Sequence, residues 1–134
     1  MMNQFFLSQR SEQNLRGVHP DLVKVVRRAI KLSCVDFMVI EGKRNEARQR
    51  QLVANGQSQT MNSRHLTGHA VDCAPLIHRQ IPWNDWSKFE LVARAMKKAA
   101  AELNVEIEWG GDWVNFKDGP HFQLSYRAYP LWHR

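Results

Sequence analysis

The order of periodicities along this chain predicts an α+β fold: a small, mostly antiparallel sheet with helices packed on one side. Three observations carry the prediction. Apolar residues recur at helical spacing in two stretches, DLVKVVRRAIKLS and the run from Phe89 to about Leu103. Four short runs rich in β-branched and aromatic residues, VDFMVIEG, HAVDCAPLI, VEIEWGG and HFQLS, read as strands, most of them bounded by Gly or Pro. Helices and strands do not alternate strictly, which argues against a parallel, doubly wound sheet. The 134 residues suffice for one domain, 1–134, with a hydrophobic core of its own and no separate binding module.

The first helix opens at Pro20 and Asp21, the residue types that favour a helix start, and turns Leu22, Val26, Ala29 and Ile30 inward. VDFMVIEG follows as a buried strand ending at Gly42. Asn45 caps a second helix, EARQRQLVAN, which stops at Gly56, and QSQTMNSR is a polar loop. HAVDCAPLI is the second strand. Asn84 or Asp85 opens the longest helix, whose inner face is Phe89, Val92, Ala93, Met96, Ala100 and Leu103. VEIEWGG and HFQLS complete the sheet.

A net charge of +6 favours a polyanionic partner, whether nucleic acid, acidic lipid or cell wall. Lys24, Arg27, Arg28 and Lys31 form one helix stripe that reads either as a solvated face or as a loose hold on an anionic polymer. No nucleic-acid motif accompanies the charge, so nucleic acid is not an expected partner. The start, MMNQFFLSQRSEQNL, lacks a basic region and a long apolar core, so neither a secretory signal nor a membrane span is expected. Cys34 and Cys73 read as free thiols of a reducing compartment.

SRHLTGHAVD, residues 63–72, concentrates two histidines and an aspartate. His65 and His69 are four apart, but Thr67 and Gly68 between them oppose a helix, and no Glu stands at 66 to serve as the base of an HExxH site. Pairing His65 with Asp72 works better. Gly68 permits a turn, and alternation sends Asp72 and Ala70 to one face and Val71 and Cys73 to the core. His69 falls on the core side by the same count, with its phase uncertain beside the turn. A catalytic zinc site takes three protein ligands and leaves one position open. In KDGPHFQL, His121 offers a third ligand, and Asp118 stands three residues before it, where a general base belongs. Six histidines produce such pairs by chance, and buried histidines are commonly structural, so spacing leaves both readings open. Trp109 reads as core and Trp113 as a wall of a cleft, with Asp112 either orienting a ligand histidine or lying in a turn. Trp83 and Trp86 read as packing.

The pattern Ser63-x-His65-x-x-Gly68-x-Ala70-x-Asp72, followed by Asp118-x-x-His121, resembles the M15 family of zinc peptidases, and within it the phage L-alanyl-D-glutamate endopeptidases. GKR at 42–44 fits as well, as do WNDWSKF and WGGDW in their order along the chain. Asn45 departs from the Ser or Thr that commonly follows the arginine. The resemblance implies a DD-peptidase-like (Hedgehog-like) fold with a zinc site at the sheet. It implies His65, Asp72 and His121 as zinc ligands, Asp118 as base, and Arg44 as a clamp on a substrate carbonyl or carboxylate that also stabilises the oxyanion. It implies an endolysin that acts on the peptidoglycan stem peptide as a monomer. Such a protein is made in the host cytoplasm and reaches the wall once a separate holin-like protein has permeabilised the membrane. The same family also includes D-Ala-D-Ala carboxypeptidases and dipeptidases, and a non-catalytic wall-binding module is the rival from another class.

Overall fold

The computed structural model describes residues 4–58, 60–61 and 63–130. Positions 59 and 62 of the expected polar loop lie outside the described residues. The elements are α1 (Gln9–Asn14), α2 (Pro20–Leu32), β1 (Asp36–Glu41), α3 (Glu46–Ala54), β2 (Ala70–Leu76), α4 (Trp86–Leu103), β3 (Ile107–Trp109) and β4 (His121–Leu124). Short 3-10 turns cover Arg64–Thr67 and Gly110–Asp112. The strands form one sheet in the order β1-β2-β4-β3, and every neighbouring pair is antiparallel.

Side chains alternate across a strand, so the sheet has two unlike faces. Phe37, Val39, Val71, Cys73, Phe122 and Leu124 turn to one of them and are almost wholly buried. There they join Leu22, Val25, Val26, Ala29 and Ile30 of α2 and Val92, Met96 and Ala99 of α4 in a single apolar cluster. Leu103 was expected on that inner face but is 39% exposed. It is the last residue of α4, and the cluster is closed at that end by Val105 and Ile107 of the following segment. The basic stripe of α2 is largely engaged within the molecule. Arg27 pairs with Glu12 and Arg28 with Glu102, each at 2.7 Å, and Lys31 lies over the Phe6 ring.

Two features depart from the sequence prediction. The helices are not all on one side: α2 and α4 cover the apolar face, whereas α3 contributes nothing to that cluster. Helix α1 has no counterpart in the sequence reading, because six residues carry too little periodicity to announce a helix. Its place follows from hydrogen bonding. Strand β1 is an edge, and an edge strand leaves backbone groups without strand partners. Ser11 Oγ accepts from the Val39 N–H at 3.0 Å and Asn14 Nδ2 donates to the Val39 carbonyl at 2.9 Å, which satisfies both groups.

The pairing of β1 with β2 is irregular between Val39 and Glu41. Val39 opposes Cys73, but the next residue of β2, Asp72, opposes Glu41, so Ile40 is the extra residue of a bulge. The bulge brings Glu41 to the face that carries Asp72.

Candidate metal centre and cleft

The polar face of the sheet is built by the same alternation. Asp72 of β2 lies opposite His121 of β4, and Gln123 of β4 lies between Ala70 of β2 and Glu108 of β3. His65 reaches this face from the 3-10 turn that precedes β2. Ser63 caps that turn, its Oγ accepting from the His65 N–H, and Gly68 ends it at φ 78. A side chain at Gly68 would collide with the Gly17 carbonyl oxygen, so glycine is required there for both conformation and contact.

Hydrogen bonding fixes which histidine nitrogens are free. His65 Nδ1 lies 2.8 Å from the Gly42 carbonyl oxygen. A carbonyl oxygen only accepts, so Nδ1 carries the proton and the neutral ring presents the lone pair of Nε2. That lone pair faces Asp72 Oδ1 at 3.2 Å. His121 Nε2 lies 2.7 Å from Gln123 Oε1, which leaves Nδ1 free, 3.5 Å from the same carboxylate oxygen. Three lone-pair donors converging on one point repel one another unless a cation lies among them. Ligand atoms of His65, Asp72 and His121 all lie within 4.8 Å of one another, and the three residues are buried. Two imidazoles and a carboxylate suit zinc, so this donor set fits the metal that the sequence implied.

The electrostatics agree. In place of a metal ion, a proton on either ring serves the same end: burial raises the Asp72 carboxyl, but charge on His65 and the hydrogen bonds that protonated histidines donate outweigh it and hold the group well below the usual carboxylate range. Burial opposes charge on His121, yet the Asp72 hydrogen bond and charge raise it. Both shifts describe a pocket that favours positive charge at its centre.

Asp118 enters on the turn before β4. Its N–H donates to the Gly110 carbonyl and its own carbonyl accepts from the His121 N–H, so residues 118–121 form a closed turn. Gly110 permits this closure, since a Cβ there would strike the Asp118 carbonyl oxygen. Burial raises the Asp118 carboxyl, and the neighbouring Asp72 charge raises it further; a carboxyl shifted upward in a cleft is a candidate for proton transfer. Asp118, His65, His121, Arg44, Trp113 and Tyr126 line one cavity of about 490 Å³. The Trp113 ring lies 5.0 Å from that of His121, so the tryptophan expected in the cleft wall is there.

Arg44 is held from three sides. Its Nη2 donates to Asp72 Oδ2 and to Glu41 Oε1, each at 3.3 Å, and its Nη1 donates to Gln49 Oε1 at 2.9 Å. Its Nε lies 2.8 Å from Glu41 Oε2 but is not aligned for a hydrogen bond. Gln49 is not among the residues that the sequence singled out. Gln49 is in fact fully buried, and its Nε2 donates to Ser58 Oγ and the Thr60 carbonyl, joining Arg44 to a wall of the cleft. Arg64 was also overlooked. It is buried, and its Nη2 donates to the carbonyls of Leu124, Ser125 and Tyr129, which ties the segment after β4 to the residue beside His65. A charged residue beside a candidate ligand was the signal available for it.

Of the two readings of Asp112 the turn holds: it pairs with Lys97 at 2.7 Å on the surface, because the 3-10 turn at 110–112 points it outward, and it orients no histidine. One further reading is corrected. His69 is not in the core. It precedes β2, bonds Thr67 Oγ1 through Nδ1, and packs against the His19 ring at 5.4 Å. Trp109 is core as expected, with Nε1 donating to the Gly119 carbonyl. Trp83 and Trp86 stack on Phe89, and Trp86 also stacks on Trp109.

Fold and site together define a small α+β protein with a candidate metal centre set in the polar face of an antiparallel sheet and opening into a cleft. The chain belongs to the phage L-alanyl-D-glutamate peptidase family, whose model matches residues 2–124. It is 41% identical over 112 residues to the L-alanyl-D-glutamate peptidase of Escherichia phage T5, covering 81% of this chain and 82% of that one. It is 33% identical over 95 residues to the peptidase of the same name from Listeria phage A118. That match takes in 71% of this chain but only 32% of the longer relative. Among solved structures it is similar to the Serratia marcescens L-Ala D-Glu endopeptidase ChiX, with a TM-score of 0.87 and 51% identity over 94% of this chain and 95% of that one.

Proposed function

We propose that this protein is a zinc-dependent peptidoglycan hydrolase, an endolysin, that cleaves the L-alanyl-D-glutamate bond of the stem peptide. The observation that carries the reading is the convergence of three lone-pair donors in a cleft that also holds an acid with a raised pKa and an arginine. The family and its named relatives supply the bond. The sheet is read as DD-peptidase-like (Hedgehog-like), and residues 1–134 as one catalytic domain.

In this reading His65 Nε2, His121 Nδ1 and an oxygen of Asp72 hold the zinc. A bound zinc ion supplies Lewis acidity, polarising the scissile carbonyl and making a water acidic enough to attack near neutral pH. Asp118 takes the proton from the attacking water and returns it to the leaving amine of D-glutamate, so the amine departs neutral. Arg44 holds a substrate carbonyl or carboxylate and stabilises negative charge on the carbonyl oxygen, a task that suits an always-charged, planar fork. Trp113 packs against the bound peptide. The basic surface suits an anionic wall polymer.

None of the helices among the described residues is long and apolar enough to cross a membrane. We infer synthesis in the host cytoplasm, access to the wall through a separate holin-like protein, and action as a monomer. The test is mass spectrometry of Gram-negative peptidoglycan digested by zinc-loaded protein, beside Asp118→Asn and a chelated sample. Free stem peptides beginning at D-glutamate, absent from both controls, are the expected result. Released D-alanine would move the protein to the carboxypeptidase branch. Intact wall that sediments with bound protein would make it a binding module.

A further inference from the structure

His121 is oriented by something the reaction itself does not require. Its Nε2 donates to Gln123 Oε1 at 2.7 Å, and Gln123 Nε2 donates in turn to Glu108 Oε1 at 3.2 Å. The order of this chain is forced by chemistry. A carboxylate only accepts, so Glu108 attracts the NH₂ end of the amide and turns its oxygen toward His121. An amide oxygen also only accepts, so the neutral His121 ring must carry its proton on Nε2 and offer Nδ1 to Asp72 and the metal position. Without Glu108 the amide has no preferred flip. With its NH₂ toward His121 it would draw the lone pair to Nε2 and place a proton where the metal should be.

The sheet builds this chain deliberately in register. Gln123 stands two residues after His121 and so shares its face, Glu108 is its direct partner on β3, and Ala70 on its other side leaves room for the amide. Gln123 is buried, so water does not replace the bond freely, whereas Glu108 is exposed to solvent.

We propose that Gln123, aligned by Glu108, is a positioning residue that holds His121 in the one tautomer able to bind metal through Nδ1. The inference rests on His121 being a metal ligand. Partners of this kind commonly contribute about 10–100-fold to metal affinity.

The experiment is competition for Zn²⁺ against a chromophoric chelator, with wild type, Gln123→Leu, the exchanged pair Gln123→Glu with Glu108→Gln, Glu108→Ala and His121→Ala. Melting of each metal-free variant establishes that it is folded. Gln123→Leu is expected to weaken zinc binding by about 10–100-fold. The exchanged pair, in which a carboxylate accepts from Nε2–H and from the amide facing it, is expected to restore affinity to near the wild-type value. Glu108→Ala should fall between Gln123→Leu and wild type. In zinc-loaded protein labelled with ¹⁵N-histidine, the Nε2 proton of His121 should be visible in wild type and the exchanged pair and lost to exchange in Gln123→Leu, a signature that packing alone does not move. Wild-type affinity and an unchanged Nε2 proton in Gln123→Leu would overturn the proposal while His121→Ala still abolished binding. If His121→Ala binds zinc as wild type does, the ligand reading fails and this inference fails with it.

Discussion

The two faces of the sheet are made from the same strands yet behave as different materials. Asp72 and Cys73 are neighbours in β2, and both are shut away from solvent. On the helix side, burial raises the Cys73 thiol, with the Asp72 charge adding to it, so the sulfur stays protonated and inert. On the cleft side, the same kind of burial is overcome at Asp72 by two histidines, and the carboxylate stays ionised. Burial by itself therefore assigns no role. Which partners meet a side chain on its own face decides whether it serves the core or the chemistry.

That contrast predicts opposite responses to substitution. Removing the proposed base should give the largest effect: Asp118→Asn is expected to lower kcat by about 10²–10⁴-fold with little change in melting temperature, checked by muropeptide release and calorimetry on one preparation. On the other face, Phe122→Ala removes a wholly buried ring and should cost about 3–5 kcal/mol of stability in urea unfolding, with the residual folded fraction still active. If Phe122→Ala instead abolished activity without loss of stability, the division between the faces would be wrong. Zinc at a hundredfold excess over its Kd should add about 2.7 kcal/mol to stability, and His65→Ala should abolish that gain, both read from melting with and without chelator.

The two cleft carboxylates should also titrate in opposite senses. Asp72 has a lowered folded pKa, so its contribution to stability is present above the ordinary carboxylate pKa and is lost as pH falls. Asp118 has a raised folded pKa, so its contribution is present below the ordinary value and is lost as pH rises through the raised one. Both senses belong to the metal-free protein, so urea unfolding in chelator across the acid range is the measurement that separates them. The smallest effect belongs to the support of the arginine. Gln49→Ala should raise KM by about tenfold, near the energy of one charged hydrogen bond, while leaving zinc affinity unchanged.

The strands and the cluster of candidate ligands were legible in the sequence for one reason: both depend on short-range pattern. Alternation in HAVDC separated Asp72 from Cys73 correctly, and the glycine in SRHLTGH marked the turn that carries His65. What stayed hidden depends on contacts between distant segments. Gln49 matters only because α3 returns to Arg44, and α1 only because Val39 lies on an edge. His69 was misjudged, and Asp112 left open between two readings, because each sits next to a turn, where one residue of phase reverses the direction of a side chain. Leu103 failed for a related reason, since periodicity does not say where a helix outlasts the core beneath it.

The bulge at Ile40 bears on how such a site can arise and be lost. A strand repeats every two residues, so in a regular ladder Val39 and Glu41 would share the apolar face. The extra residue at position 40 breaks that count, and the charge of Glu41 meets Arg44 on the cleft side instead. In an evolving lineage, a point change at Glu41 or Arg44 alters one charge, whereas a change that straightened the strand at constant length would turn Glu41 to the apolar face and leave Arg44 with fewer partners. The path of the backbone thus matters more here than the identity of residue 40. A library that varies position 40 should retain many active members, and deletion of that residue should keep the Glu41–Arg44 pair, because Glu41 then follows Val39 directly and still opposes Asp72.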